Sequence, residues 1–196
     1  FKTLRKLAQS GRERKKTGLA LLDGEHLIAA YVERIGLPQM LIVSDSGQQR
    51  AEISSLMEHL PAVPLTLMSD ALFQEIAPVE SPTGILARVE IPQLPMPEKI
   101  RFAVFLEALQ HPGNLGSILR SAAAAGAEVA YLSAGCADAW SPRVLRGGMG
   151  AQFYLPIREG VDLVGAAESF AGEIVVTSLQ AEADLFDLDL AGAVAF

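Results

Sequence analysis

Short apolar runs with strand character alternate with capped, periodic runs of helical character along nearly the whole chain. No other feature constrains the fold as strongly, because strands that alternate with helices bury their apolar faces in α/β layers. In the first half, residues 1–10 read as a helix and 11–17 as a basic loop. Residues 18–24 read as a strand, 25–35 as a helix stopped at Gly36, 40–44 as a buried strand, and 52–60 as a helix closed by Pro61. Residues 65–68 follow as a strand, 70–76 as a helix capped by Ser69, and 84–89 as a strand. In the second half, strands are predicted at 101–106, 128–132, 152–157 and 173–179, with another beginning at 193. Helices are predicted at 114–125, from Ser141 to Arg146, and at 162–170. This rhythm predicts a parallel sheet with helices on both faces.

Between the halves, Pro92, Pro95 and Pro97 crowd a short stretch that suits an extended, semi-rigid linker. The expected division is a small domain over residues 1–91, a linker over 92–99 and a second domain over 100–196. A proline-rich loop within one domain is the alternative.

Half of the 196 residues are hydrophobic, which is enough to bury a sizeable core and excludes a disordered chain. No apolar run reaches the ~20 residues a membrane helix needs, so no membrane partner is predicted. No basic-then-apolar leader is present, and the first residue is Phe1 rather than Met, so a trimmed or partial product is expected. Cys136 has no partner for an internal disulfide, which favours a reducing cytoplasm and excludes a cysteine-built zinc site. His26, His59 and His111 lack metal-ligand spacing, and Asp184, Asp187 and Asp189 read as a solvated face, so no metal is expected.

The net charge of −7 argues against nucleic acid until its distribution is considered. Lys2, Arg5, Lys6, Arg12, Arg14, Lys15 and Lys16 face a single acid, Glu13, in the first sixteen residues, whereas no Lys or Arg follows Arg158. A polarised chain presents a basic footprint despite an acidic total. A solvated helix face is the plainer alternative.

Two constellations carry candidate chemistry. In the run from Gln110 to Arg120, Asn114 reads as a helix N-cap and Gly116 as a first-turn position where a ligand can approach free backbone N–H groups. Arg120 lies four residues on, on the same face, with Ser117 and Ser121 as a polar stripe beside it. A capped helix with one exposed arginine is the bland alternative. Neither a G-x-G-x-x-G fingerprint nor a Walker lysine is present, so the usual dinucleotide and P-loop readings are weak, and with them a nicotinamide dehydrogenase. In the second constellation, Ser141 to Ala151, Arg143 and Arg146 share a face ahead of Gly147, Gly148 and Gly150, which suits phosphate contacts. A helix C-terminus with favourable cations and a glycine stop explains it equally well. Trp140 reads as an anchor for the loop before it.

Taken together, Asn114-x-Gly116-x-x-x-Arg120 after a strand, then Arg146-Gly147-Gly148-Met149-Gly150-Ala151 and Leu155-Pro156, resemble two motifs of the SpoU (TrmH-like) RNA ribose methyltransferases. The resemblance extends to the first half. Arg12-x-Arg14-x-Lys16-x-Gly18 leading to Leu22-Asp23-Gly24-Glu25-His26-Leu27 looks like the opening of that family's substrate-binding domain, and the run from Ser81 to Ala87 looks like its close. The resemblance implies S-adenosylmethionine as cofactor, 2′-O-methylation of an RNA ribose, and a homodimer through the C-terminal domain. Its substrate would be ribosomal RNA first and transfer RNA second. It implies a C-terminal domain of the trefoil-knot type.

By motif, Asn114 and Arg120 would be catalytic residues. Arg12, Arg14, Lys15, Lys16, Gly116, Ser117, Arg143 and Arg146 would touch RNA. Arginine is too weak an acid to serve easily as a base, so the expected role of Arg120 is to orient ribose and phosphate and stabilise the developing alkoxide. Acceptance of the proton is left open. Two departures from the family stand out: Gly148 replaces a frequent serine, and the family's third, glycine-rich cofactor motif is absent before Phe196. The expectation is a fragment truncated before the knot, with Thr177, Ser178 and Leu179 bordering the cofactor pocket and with weak cofactor binding. A non-catalytic RNA-binding or ribosome-assembly protein on the same scaffold is the alternative.

Overall fold

A computed structural model of the protein describes residues 1–77, 81–181 and 184–196. Helix α1 (Lys2–Gln9) turns Leu4 and Leu7 inward and leaves Lys2, Arg5 and Lys6 in solvent. Residues 11–17, expected as a loop, form a second helix, α2 (Gly11–Thr17). The Glu13 backbone N–H donates to Ser10 Oγ at its start, and Gly18 ends it with a left-handed φ of 66°. α2 lacks an apolar stripe, so periodicity could not reveal it. Its caps and its inward Arg14 hold it in place.

Four strands form the first sheet: β1 (Leu19–Asp23), β2 (Met40–Ser44), β3 (Leu65–Met68) and β4 (Ile85–Glu90). Their order is β1-β4-β2-β3, with β2 and β3 parallel and β4 antiparallel to both β1 and β2. Alternate residues face opposite sides. Leu21, Ile42 and Leu86 pack with α1 and with Phe73 and Ile76 of α5 (Asp70–Ile76). Ala20, Leu22, Leu41 and Val43 pack with α3 (Glu25–Arg34) and with Ile53 of α4 (Ala51–His59). α4 and β3 to α5 follow the predicted rhythm.

No regular structure lies between Glu90 and Phe102. The second sheet is entirely parallel, with β7 (Ile157–Glu159), β6 (Val129–Leu132), β5 (Phe102–Leu106), β9 (Val194–Ala195) and β8 (Glu173–Ile174) in that order. Val104, Ala130 and Leu132 face α6 (Pro112–Ala124) and α7 (Pro142–Gly148), while Ala103, Val129 and Ala195 face the side of Phe170, just after α8 (Leu163–Glu168). Two predicted strands are shorter than expected. Residues 151–153 form a tight 3-10 turn that buries Gln152 and Phe153, leaving only 157–159 as strand. The expected strand at 173–179 pairs only over Glu173–Ile174.

The two sheets share one continuous apolar core. Tyr31 of α3 meets the Phe153 ring edge-on at 5.3 Å between centroids, and Arg34 lies 5.3 Å from the Tyr154 ring centre. Among the described residues no helix is long and apolar enough to cross a membrane.

Candidate active site

The centre of the candidate site is the packing of α6 on α7. α6 starts earlier than its sequence predicts. His111 is the cap: its Nδ1 accepts from the Asn114 N–H at 3.3 Å, and Pro112 occupies the first turn, where a missing N–H costs nothing. Asn114 is therefore an exposed first-turn residue, not the N-cap. Its side chain is left free of capping duty.

Gly116 corrects a second expectation. It is buried, and a Cβ there would lie 2.6 Å from the Val144 carbonyl oxygen and 2.8 Å from the Gly148 nitrogen. The glycine lets two helix backbones touch rather than letting RNA approach. Gly148 works the same way toward Gln152, whose side-chain amide fills the space a Cβ would take and donates through Nε2 to the Ala139 and Val144 carbonyls.

That close approach brings the second constellation to the first. α7 is capped by Ser141, whose Oγ accepts from the Val144 N–H, and it ends at Met149 with a left-handed φ of 48°. Positive φ at a non-glycine residue stores backbone strain and is concentrated at functional sites. Arg120 Nη1 donates to Met149 Sδ at 3.2 Å, so the side chain of α6 and the end of α7 meet in solvent. Asn114, Ser117, Arg120, Arg143 and Arg146 are all exposed.

The basic segment divides. Arg12, Lys15 and Lys16 of α2 are exposed, but Arg14 is buried, 4% exposed, and is not available to RNA. Its Nε donates to Asp138 Oδ2 at 2.7 Å and its Nη1 to the Leu7 and Ala8 carbonyls. Asp138 Oδ1 accepts in turn from the Trp140 N–H at 2.9 Å, just before α7. Glu159 accepts from the Ala139 N–H, and burial pushes its carboxyl above the ordinary range. Trp140 is 7% exposed and anchors this loop.

On the other side of α7, the turn from β1 into α3 faces Arg146 and Met149 across a groove of about 190 Å³. Burial raises the Asp23 carboxyl above its ordinary value, against hydrogen bonds from Thr83 and the nearby positive charge of Arg146. Nothing in the spacing of residues 23–27 marks this turn as a neighbour of Arg120. The fold brings them together through α7 on β1.

Residues 1–87 match the MRM3-like substrate binding domain, and residues 101–196 match the SpoU rRNA Methylase family. A protein of Synechocystis described as an uncharacterized tRNA/rRNA methyltransferase is 32% identical over 194 residues, which cover 96% of this chain and 70% of that one. The chain belongs to the SpoU rRNA methylase family. The 23S rRNA (guanosine(2553)-2′-O)-methyltransferase RlmP of Bacillus subtilis is 30% identical over 74% of this chain and 56% of its own. The chain spans well under two thirds of the length of most curated relatives it matches. Among solved structures, the SpoU methyltransferase AviRb of Streptomyces viridochromogenes, in complex with AdoMet, aligns over 99% of this chain and 78% of its own. Its TM-score is 0.79 and its identity 25%.

In this SpoU chain, Thr177 and Ser178 line a second groove of about 600 Å³ beyond the carboxyl ends of β8 and β9, with Ile174, Val176, Leu185 and Phe196. Leu179, expected beside them, stands fully in solvent and does not line that groove. Asp138 and Gln152 were missed by sequence reasoning, and Met149 was read within a motif but given no role of its own. Only the glycines around Met149 and Gln152 hinted at close packing, and Asp138 carries no local signal.

Proposed function

We propose that the protein transfers a methyl group to the 2′-hydroxyl of a ribose in ribosomal RNA, with S-adenosylmethionine as donor. The meeting of Arg120 with the Met149 end of α7, with Ser117 one turn and Asn114 nearly two turns before Arg120 on the same helix, carries this reading. A phosphate flanking the target ribose is held by Arg143, where the guanidinium fork matches a phosphate, and Arg146 contacts the nucleotide from the groove beside it. Asn114 and Ser117 hydrogen-bond the nucleotide. Arg120 orients the ribose and stabilises the negative charge that develops on its 2′ oxygen as the proton passes to solvent, an electrostatic role suited to a permanently charged group. Arg12, Lys15 and Lys16 grip the RNA backbone farther out.

The groove beyond β8 and β9 fits the adenosine of the cofactor in character. Its apolar floor suits an adenine ring, the hydroxyls of Thr177 and Ser178 supply polar contacts, and it lies where α/β sheets take ligands. The bound cofactor supplies an electrophilic methyl group. Leu179 and Phe186 stand exposed on the same domain outside that groove, which supports a homodimer formed there. Cytoplasmic location goes with an RNA substrate and the lone Cys136.

The decisive experiment is transfer of labelled methyl from S-adenosylmethionine to ribosomal RNA, with the modified nucleotide mapped. Arg120→Ala is expected to lower kcat by about 10²–10³, the magnitude typical of removing one preorganised charge-stabilising donor. A wild-type rate in that variant would remove Arg120 from the mechanism.

A further inference from the structure

A groove of about 190 Å³ lies between the β1–α3 turn and α7. Leu27 and Leu145 give it apolar walls, and His26 and Met149 form an exposed rim. Met149 is also the residue that Arg120 touches, so the groove opens directly beside the proposed reaction site.

Its polar floor is arranged in an unusual way. Asp23 accepts from the Thr83 backbone N–H and hydroxyl through Oδ1 alone. Glu25 lies beside Arg50 through Oε1, at 3.6 Å, and Arg50 is itself held by the Thr83 carbonyl. The second oxygen of each carboxylate, Asp23 Oδ2 and Glu25 Oε2, is shielded from solvent and has no hydrogen-bond partner. A buried acceptor without a donor is costly, and a pair of them beside a groove calls for donors from elsewhere. Each carboxylate is thus pinned by one oxygen and keeps the other in reserve. Arg146, at the same groove, adds a planar donor of opposite character.

We propose that this groove binds the base of an unstacked guanine nucleotide of the RNA. The base enters as the His26 and Met149 side chains swing aside, and its N1–H and N2 amino donors meet the free carboxylate oxygens. Arg146 then faces the O6 and N7 acceptors, a pairing its guanidinium makes with guanine in general. Apolar walls accept the ring faces, as single-stranded recognition requires. Adenine has no N1–H and no 2-amino group. Cytosine offers a single amino donor and a smaller ring. The pocket belongs to the N-terminal domain as much as to α7, so that domain selects the nucleotide as well as gripping the backbone. This inference rests on the reading of the protein as an RNA-modifying enzyme for the identity of the polymer, but not for the chemistry of the groove.

Titration of ¹⁵N-labelled, methionine-methyl-labelled protein with guanosine 5′-monophosphate tests it by NMR. Shifts are expected at the Gly24 and Glu25 amides and the Met149 methyl. Inosine 5′-monophosphate, which lacks the 2-amino group, should bind several-fold more weakly, and adenosine 5′-monophosphate and ribose 5-phosphate should leave these signals unmoved. Glu25→Gln and Asp23→Asn, read from well-dispersed spectra of folded protein, should each weaken the guanosine response at least fivefold. Absence of shifts at the groove, an equal response to adenosine monophosphate, or unchanged affinity in both variants overturns the proposal. Failure of methyl transfer with the guanosine response intact counts against the proposed reaction alone, and the converse result counts against the pocket alone.

Discussion

Gly116 shows how one absent side chain sets the geometry of a site. Its α carbon is the point at which α6 and α7 come close enough for Arg120 to reach Met149. Alanine is a better helix former by about 1 kcal/mol, so an isolated helix would gain from Gly116→Ala. Here the new methyl would press on the backbone of α7, which cannot move like a side chain. The clash should win. Gly116→Ala is expected to destabilise the protein by roughly 1–3 kcal/mol in denaturant unfolding. A variant as stable as the parent would show that the two helices can separate freely. The position was legible as important, because a glycine near the start of a helix asks for a reason. The reason itself was not. A ligand and a neighbouring backbone both require an absent Cβ, and only the position of α7 distinguishes them.

At the scale of elements, α2 separates two jobs that its sequence mixes. Arg12, Lys15 and Lys16 point to solvent, and Arg14 points inward. Each exposed cation that neutralises a phosphate releases a counterion, so the salt dependence of RNA binding counts such contacts. Replacing Arg12, Lys15 and Lys16 together with glutamine should flatten the plot of log K against log salt by about 2, the sum of three single-strand phosphate contacts. An unchanged slope would take α2 out of the RNA interface. Most other elements could be read directly from the chain, because β2 and α6 carry the apolar period of their type and stop at glycine, proline or a polar cap. The run at 152–157 reads as a strand because Phe153 and Leu155 are apolar and alternate, yet Phe153 is buried in the 3-10 turn and Leu155 just after it, before the strand begins. The strand at 173–179 was overextended because an apolar run is compatible with strand geometry whether or not a neighbour pairs with it.

At the scale of the whole molecule, the Arg14–Asp138 ion pair joins the basic helix to the start of α7. It is the contact least accessible to sequence reasoning, because its partners lie 124 residues apart. Removing one member leaves a buried charge without its counterion, at a cost of roughly 3–5 kcal/mol. Arg14→Leu and Asp138→Leu should each destabilise strongly, and the double variant should cost less than the sum of the two. Additive losses in a double-mutant cycle would mean that the pair does not act as a unit. The same lock keeps the RNA-facing helix in a constant relation to Arg143 and Arg146, so a substrate held by α2 is presented to Arg120 from one direction.

Trp140 is the single tryptophan of the chain, 7% exposed, and it borders the cavity shared by Arg14, Ile91 and Gln152. The protein therefore carries its own optical probe at the seam between its halves. Its near-ultraviolet emission reports from one place, and that place is wetted as soon as the halves part, whether or not either half has begun to melt.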